Sequence, residues 1–229
     1  MKFGVVVFPG SNCDMDIIYV LKNILKQDVV KLWHKDTYLK ECDFIILPGG
    51  FSYGDYLRSG AIAKFSPIMK EIIGFANAGG YVMGICNGFQ ILTESGLLPG
   101  ALLHNNSHKF ICKNTFLKII TKNTIATKTS NKNVIKIPIA HAEGRYYADN
   151  KTINSLISND QIIFKYCTAD GEVNDKINPN GSLLNIAGIC NRERNVFGMM
   201  PHPERAADVD LTNQDGMVLF ENIINYAIN

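Results

Sequence analysis

Phe3-Gly4-Val5-Val6-Val7-Phe8 is an apolar run broken only by a glycine, the pattern of a strand buried on both faces. Pro9-Gly10 ends it. Ser11 or Asn12 then offers a helix cap, and Ile17, Ile18, Leu21, Ile24 and Leu25 recur on one side of a helix over about 14–25. Residues 28–33 and 43–47 read as further strands, the latter stopped by Pro48-Gly49-Gly50. A helix falls within 68–76. Gly79-Gly80 leads into a strand at 81–85, and another helix begins just past Cys86. Strands alternating with helices predict a mainly parallel sheet flanked by helices, the α/β class.

The pattern changes in the second half. Residues 116–121, 134–140, 162–166, 186–189 and 196–200 read as strands joined by turns rather than helices, with Asn178-Pro179-Asn180-Gly181 a strong turn signal. This is a strand-rich antiparallel extension. The polar stretch 121–133 reads as a surface connection. Met217, Phe220, Ile223, Ile224 and Ala227 have helical spacing and predict a closing helix over 215–227. No repeat or linker divides the chain, so residues 1–229 read as one domain.

Composition narrows the function. With 46% hydrophobic residues the chain can bury a sizeable core. The charge balance, 23 − 21 = +2, lacks the basic patch of a nucleic-acid binder. No apolar run approaches the roughly 18 residues of a membrane span, and the first apolar run stops too early for a signal peptide. A cytoplasmic protein with no membrane or nucleic-acid partner is expected. The six cysteines are scattered and form no C-x-x-C pair, which argues against a disulfide framework or a structural zinc site.

One cysteine has a setting for chemistry. Gly84-Ile85-Cys86-Asn87-Gly88 is a G-x-C-x-G segment between a predicted strand and a predicted helix, the cysteine form of a nucleophile elbow. The turn would set the sulfur at a helix N-terminus, where the dipole and unsatisfied N–H groups favour thiolate. The Asn87 N–H would face a developing oxyanion. A buried cysteine between two turn glycines is the alternative. Pro48-Gly49-Gly50-Phe51 would open at the same sheet edge, where α/β ligand sites gather. There the backbone of Gly50 and Phe51 offers a second oxyanion donor, or simply a tight turn.

Met200-Pro201-His202-Pro203-Glu204 supplies the base. The prolines force the residues before them toward extended conformations, so His202 and Glu204 are expected on one side of the segment. A carboxylate beside an imidazole fixes its tautomer and stabilises the imidazolium. His34 is isolated. His104 and His108 flank Asn105-Asn106-Ser107, a loop rather than a metal-binding helix. His141, in Ala140-His141-Ala142-Glu143-Gly144, repeats the His/Glu spacing of two; it is either a structural histidine or one on the substrate side.

A cysteine elbow followed 202 − 86 = 116 residues later by His-x-Glu resembles the class I glutamine amidotransferases. The stretch Pro48-Gly49-Gly50-Phe51-Ser52-Tyr53-Gly54-Asp55-Tyr56-Leu57-Arg58-Ser59-Gly60-Ala61 is similar to the glutaminase subunits that serve amination of formylglycinamide ribonucleotide in purine biosynthesis. So are Phe8-Pro9-Gly10-Ser11-Asn12-Cys13-Asp14, Asn106-Ser107, Phe110-Ile111-Cys112, Glu143-Gly144-Arg145, Asn178-Pro179-Asn180-Gly181-Ser182 and Pro201-His202-Pro203-Glu204-Arg205. The likeness runs from residue 3 to about residue 227. Ala142 departs from it, standing where glycine is expected.

The resemblance implies a flavodoxin-like amidotransferase architecture, with Cys86 as nucleophile, His202 as acid/base and Glu204 as its orienter. Gly50, Phe51 and Asn87 would form the oxyanion hole and glutamine site. It implies no metal and no cofactor in this chain. The partner is a large synthetase subunit that uses ATP and magnesium, joined in many bacteria by a small third subunit. Residues 53–58 would contact that partner or gate the glutamine pocket, or form an ordinary surface loop. An amidotransferase for another acceptor and a free-standing γ-glutamyl hydrolase are the rivals among enzymes, and the 51–61 signature argues against both. A non-catalytic binding module would lack the His-x-Glu that is present here.

Overall fold

In the computed structural model the backbone is described through Ile228 and side chains through Tyr226. Asn229 and the side chain of Ala227, assigned above to the closing helix, lie outside the described residues. Strand β1 (Lys2–Val7) is buried from Phe3 to Val6, as its unbroken apolar pattern demands. Helix α1 follows as Asp14–Ile18 and continues as a π-helical segment, Tyr19–Ile24. The wider turn shows in the Leu25 N–H, which donates to the Val20 carbonyl, 2.9 Å away.

The cap of α1 is not the one expected. Cys13 holds the N-cap position and makes no side-chain cap bond. Ser11 is spent one turn earlier, where its Oγ accepts the Phe8 N–H and donates to the Phe8 carbonyl, each at 2.9 Å. The hydroxyl therefore closes the end of β1 instead of opening the helix.

Next come β2 (Asp28–Trp33), β3 (Phe44–Leu47), α2 (Pro67–Asn77), β4 (Tyr81–Ile85) and α3 (Asn87–Glu94). The strands lie in the order β2-β1-β3-β4, and the pairs β1–β2, β1–β3 and β3–β4 are parallel. The strand Val196–Met199, from late in the chain, lies beyond β4, with the Val82 N–H bonded to the Asn195 carbonyl at 2.8 Å. Residues 1–98 and 195–198 form one compact unit. Its core is built from the buried strand residues and from Ile17, Leu21, Phe89 and Leu92.

Residues 99–194 and 199–229 form a second unit. It contains β5 (Ala101–Leu103), β6 (Ile111–Ile119), β7 (Val134–His141), β8 (Arg145–Tyr147), α4 (Asn150–Ser158), β9 (Ile162–Cys167) and β10 (Ile186–Cys190). The late strand Val196–Met199 is β11, and α5 is Met217–Ile228. Within this unit β10, β9, β6 and β7 pair antiparallel in that order, and β5 pairs antiparallel with β8. Along β7, residues 135, 137, 139 and 141 are buried and their neighbours are half-exposed, the alternation of a strand with one face on the core. Among the described residues no helix is long and apolar enough to cross a membrane.

Two expectations for the second half need correction. It is not joined by turns alone, because α4 lies between β8 and β9. Asp149 caps it through the Thr152 N–H at 2.8 Å, but only Leu156 is buried, so its apolar stripe was too thin to read. Nor is 121–133 a surface connection throughout: Thr124, Ile125, Ala126 and Thr127 are buried. The polar residues bury because they satisfy one another, as in the 2.7 Å bond between the Thr124 and Thr127 hydroxyls. The Thr129 N–H is likewise satisfied by Asn222 Oδ1 on α5, at 2.9 Å.

Two glycine substitutions should separate close approach from mere flexibility. A Cβ at Gly88 would stand 1.9 Å from the Leu47 carbonyl oxygen, whereas one at Gly74, on exposed α2 surface, meets nothing within 4 Å. Gly88→Ala is expected to lower stability by about 2 kcal/mol or more, and Gly74→Ala to raise it by about 0.5–1 kcal/mol. Urea unfolding midpoints check both.

Candidate active site

β4 enters the elbow through Gly84 and Ile85, and α3 leaves it at Asn87. Cys86 makes the turn with φ 50° and ψ −107°, a positive φ that L-residues rarely adopt. The glycines on either side permit the approach. A Cβ at Gly84 would lie 2.6 Å from the Gly88 carbonyl carbon, and Gly88 itself presses on Leu47. Cys86 is thereby held at the N-cap of α3, 5% exposed. The Asn87 N–H stands at the first helical position, which has no intrahelical acceptor.

The turn after β3 is interlocked with the loop after β1. Gly50 has φ +131°, and a Cβ there would meet the Asn12 nitrogen at 2.6 Å. The Phe51 N–H donates to the Gly10 carbonyl at 2.9 Å, and the Tyr53 N–H to the Pro9 carbonyl at 2.7 Å. Of the two donors named for an oxyanion, the Phe51 N–H is therefore engaged in this conformation. The Gly50 N–H has no acceptor among the described residues.

Beyond Phe51 the chain makes a tight turn, Ser52–Asp55, with Tyr53, Gly54 and Asp55 all at positive φ. The Tyr53 hydroxyl points inward, 2.6 Å from His34 Nδ1 and 2.9 Å from Ser66 Oγ. The isolated His34 of the sequence thus supports this loop from below. Tyr56 and Leu57 face solvent, 74% and 92% exposed. Arg58 returns to α3 and pairs with Glu94 through Nε and Nη2, at 2.6 and 2.9 Å.

In the second unit His202 and Glu204 meet. His202 Nδ1 lies 2.6 Å from Glu204 Oε1, and the residues are 1% and 3% exposed. The route differs from the extended segment expected. His202 lies at φ −104° and ψ 89°, while Pro203–Ala206 is a 3-10 turn that carries Glu204. The edge strand β7 fixes the segment, because the Pro138 carbonyl accepts the His202 N–H at 2.8 Å. Proline fits an edge position because it has no N–H to leave unpaired.

His141 ends the same strand and is 3% exposed. Its Nδ1 lies 3.1 Å from Asn105 Oδ1, which also accepts the Gly144 N–H at 3.1 Å; Asn105 Nδ2 in turn donates to the His141 carbonyl at 2.9 Å. Asn105 therefore clamps His141 from two sides, and nothing in the sequence singled it out. Ala142, where glycine was expected, has no positive φ, and its carbonyl accepts the Asn105 N–H at 2.8 Å. The glycine that the geometry requires is Gly144, whose Cβ would stand 2.2 Å from the imidazole ring. Burial first, then the neighbouring His202, pulls the His141 pKa down to about 4.

The first unit thus carries Cys86, Asn87, Gly50 and Phe51, and the second carries the His202–Glu204 pair and His141. His104 is exposed and 3.4 Å from Glu143, in the loop expected for it. All six cysteines are free thiols.

A family model described as a CobB/CobQ-like glutamine amidotransferase domain matches residues 1–227, and this defines the class: a glutamine amidotransferase. A subunit named phosphoribosylformylglycinamidine synthase subunit PurQ from Moorella thermoacetica is 57% identical over 227 residues, covering 99% of this chain and 96% of the relative. The protein of the same name from Koribacter versatilis is 55% identical over 98% of this chain and 97% of its own. A chain of the PurLQS structure from Thermotoga maritima aligns with a TM-score of 0.86 at 43% identity, covering 99% of this chain and 98% of that one. The chain belongs to the PurQ family of phosphoribosylformylglycinamidine synthase subunits.

The depressed pKa of His141 carries a stability prediction. Between about 4 and the ordinary 6.5 the unfolded chain binds a proton there that the folded chain does not. The contribution is complete above the unfolded pKa and is lost as pH falls through the folded one. His141→Gln should remove it. The stability of the parent relative to the variant should fall by about 3 kcal/mol from about pH 7 to about pH 4, measured by urea unfolding at each pH.

Proposed function

We propose that this chain is the glutaminase of a phosphoribosylformylglycinamidine synthase and that Cys86, His202 and Glu204 perform its chemistry. The observation that carries the reading is the elbow. Cys86 is held at positive φ on the N-terminus of α3, in a chain 57% identical to a PurQ subunit over nearly its whole length. The buried His202–Glu204 pair supports it.

The Cys86 thiolate attacks the side-chain amide carbon of glutamine. The oxyanion so formed is met by the Asn87 N–H and by the Gly50–Phe51 turn, whose Phe51 N–H must first leave Gly10 if it is to contribute. His202 gives its proton to the departing ammonia. Glu204, against Nδ1, holds the ring in the tautomer that leaves Nε2 for this transfer and stabilises the imidazolium. The γ-glutamyl thioester that remains is hydrolysed by water activated through His202, releasing glutamate and restoring the thiol.

Ammonia passes to a large synthetase subunit, which uses ATP and magnesium to convert formylglycinamide ribonucleotide to formylglycinamidine ribonucleotide. A small third subunit completes the complex, as the PurLQS name of the structural relative suggests. The reaction is cytoplasmic.

Cys86→Ala should reduce glutamate release to below about one-thousandth of the parent rate, while the assembled complex keeps ammonia-dependent synthesis. Glutamate and product are measured in parallel with glutamine or ammonium as donor. Equal glutamate release by parent and variant would overturn the assignment of Cys86.

A further inference from the structure

The side chain of Asn87 is 1% exposed and makes three hydrogen bonds. Its Oδ1 accepts the Ser52 N–H at 3.2 Å, and its Nδ2 donates to Asp55 Oδ1 at 3.3 Å and to Gln90 Oε1 at 2.9 Å. Two of these partners lie on the tight turn after Gly50–Phe51, at its first and last residues. The third lies one turn along α3.

We propose that the Asn87 side chain is a positioning residue that locks the Ser52–Asp55 turn to the helix carrying Cys86, so that the oxyanion donors on the two segments keep one spacing. The inference rests on the glutaminase reading above. Asn87 is the residue whose backbone N–H faces the oxyanion in that reading, so one residue both donates and sets the distance to the second donor. The turn needs such a tie. Tyr53, Gly54 and Asp55 are all at positive φ, a run that persists only when surrounding contacts determine it. The same loop meets α3 twice more, through the Arg58–Glu94 pair and at Gly60, where a Cβ would stand 2.8 Å from the Ile91 nitrogen.

The bonding pattern admits a swap. Asn87→Asp keeps the acceptor for Ser52 but sets a carboxylate against Asp55. Asp55→Asn keeps an acceptor for Asn87 Nδ2. In the double variant the direction of the bond reverses, with the new amide donating to the new carboxylate. Glutaminase kinetics are measured on the complex with its synthetase subunit, ATP and formylglycinamide ribonucleotide. Asn87→Asp should lower kcat by about 10²-fold with little change in KM. Asp55→Asn should cost at most about fivefold, and the double variant should recover to within about tenfold of the parent.

Hydrogen exchange across 52–55 gives a readout apart from catalysis, fast in Asn87→Asp and slowed again in the double variant. Failure of the double variant to recover in both readouts, or an Asn87→Asp variant with parental kcat, overturns the proposal. Should exchange follow the swap while the parent complex releases no glutamate, the tie between turn and helix stands and the catalytic reading alone falls.

Discussion

At Cys86 the backbone takes φ 50° and ψ −107°, a conformation that costs a side-chain-bearing residue on the order of 1–3 kcal/mol. The first unit is built to hold it there. β4 delivers the residue, and α3 starts so abruptly that Gly88 meets the end of β3 at a distance no side chain allows. Phe89, Ile91 and Leu92 are fully buried by the same helix, at about 1.5–3 kcal/mol for each large apolar side chain. Burial of α3 is therefore large enough to hold the strained residue. The strain, the glycines and the apolar face form one device, and loosening any of them releases the turn.

The buried polar groups of the second unit follow a different rule. His202 and His141 are both buried, yet their surroundings differ in kind. His202 faces a carboxylate through Nδ1, 2.6 Å away. His141 faces an amide oxygen, and burial and His202 hold it neutral. Two buried imidazoles in one unit thus face a carboxylate in one case and an amide oxygen in the other. The Asn105 side chain is itself fixed by bonds to the Lys109 and His141 carbonyls.

Much of this was legible in the chain. β2 and β4 begin and end where the pattern places them; β4 is buried along most of its length, as a central parallel strand is, and turn residues mark where it ends. The elbow was legible for the same reason: two glycines two residues from a cysteine leave few conformations open. The His202–Glu204 pairing was read correctly, but through an extended segment where the structure uses a 3-10 turn. What failed had weak local signals. α4 buries one residue, and the buried 124–127 segment is polar because its partners are hydroxyls and α5. Asn87 and Asn105 act through bonds to residues far along the chain or held by the fold, and no periodicity announces those.

The first unit is not contiguous. Residues 1–98 supply four of its strands, but the strand beyond β4 comes from Val196–Met199. During synthesis from the N-terminus, β4 and the elbow after it leave the ribosome roughly a hundred residues before the segment that covers the β4 edge. At translation rates of about 5–20 residues per second, that edge stays open for several seconds with its N–H and C=O groups unpaired, a template for foreign strands. A nascent chain that carries a strained turn beside such an open edge is exposed to mispairing until the last strand arrives. Completion of the first unit is thus deferred by topology until nearly the whole chain has been made.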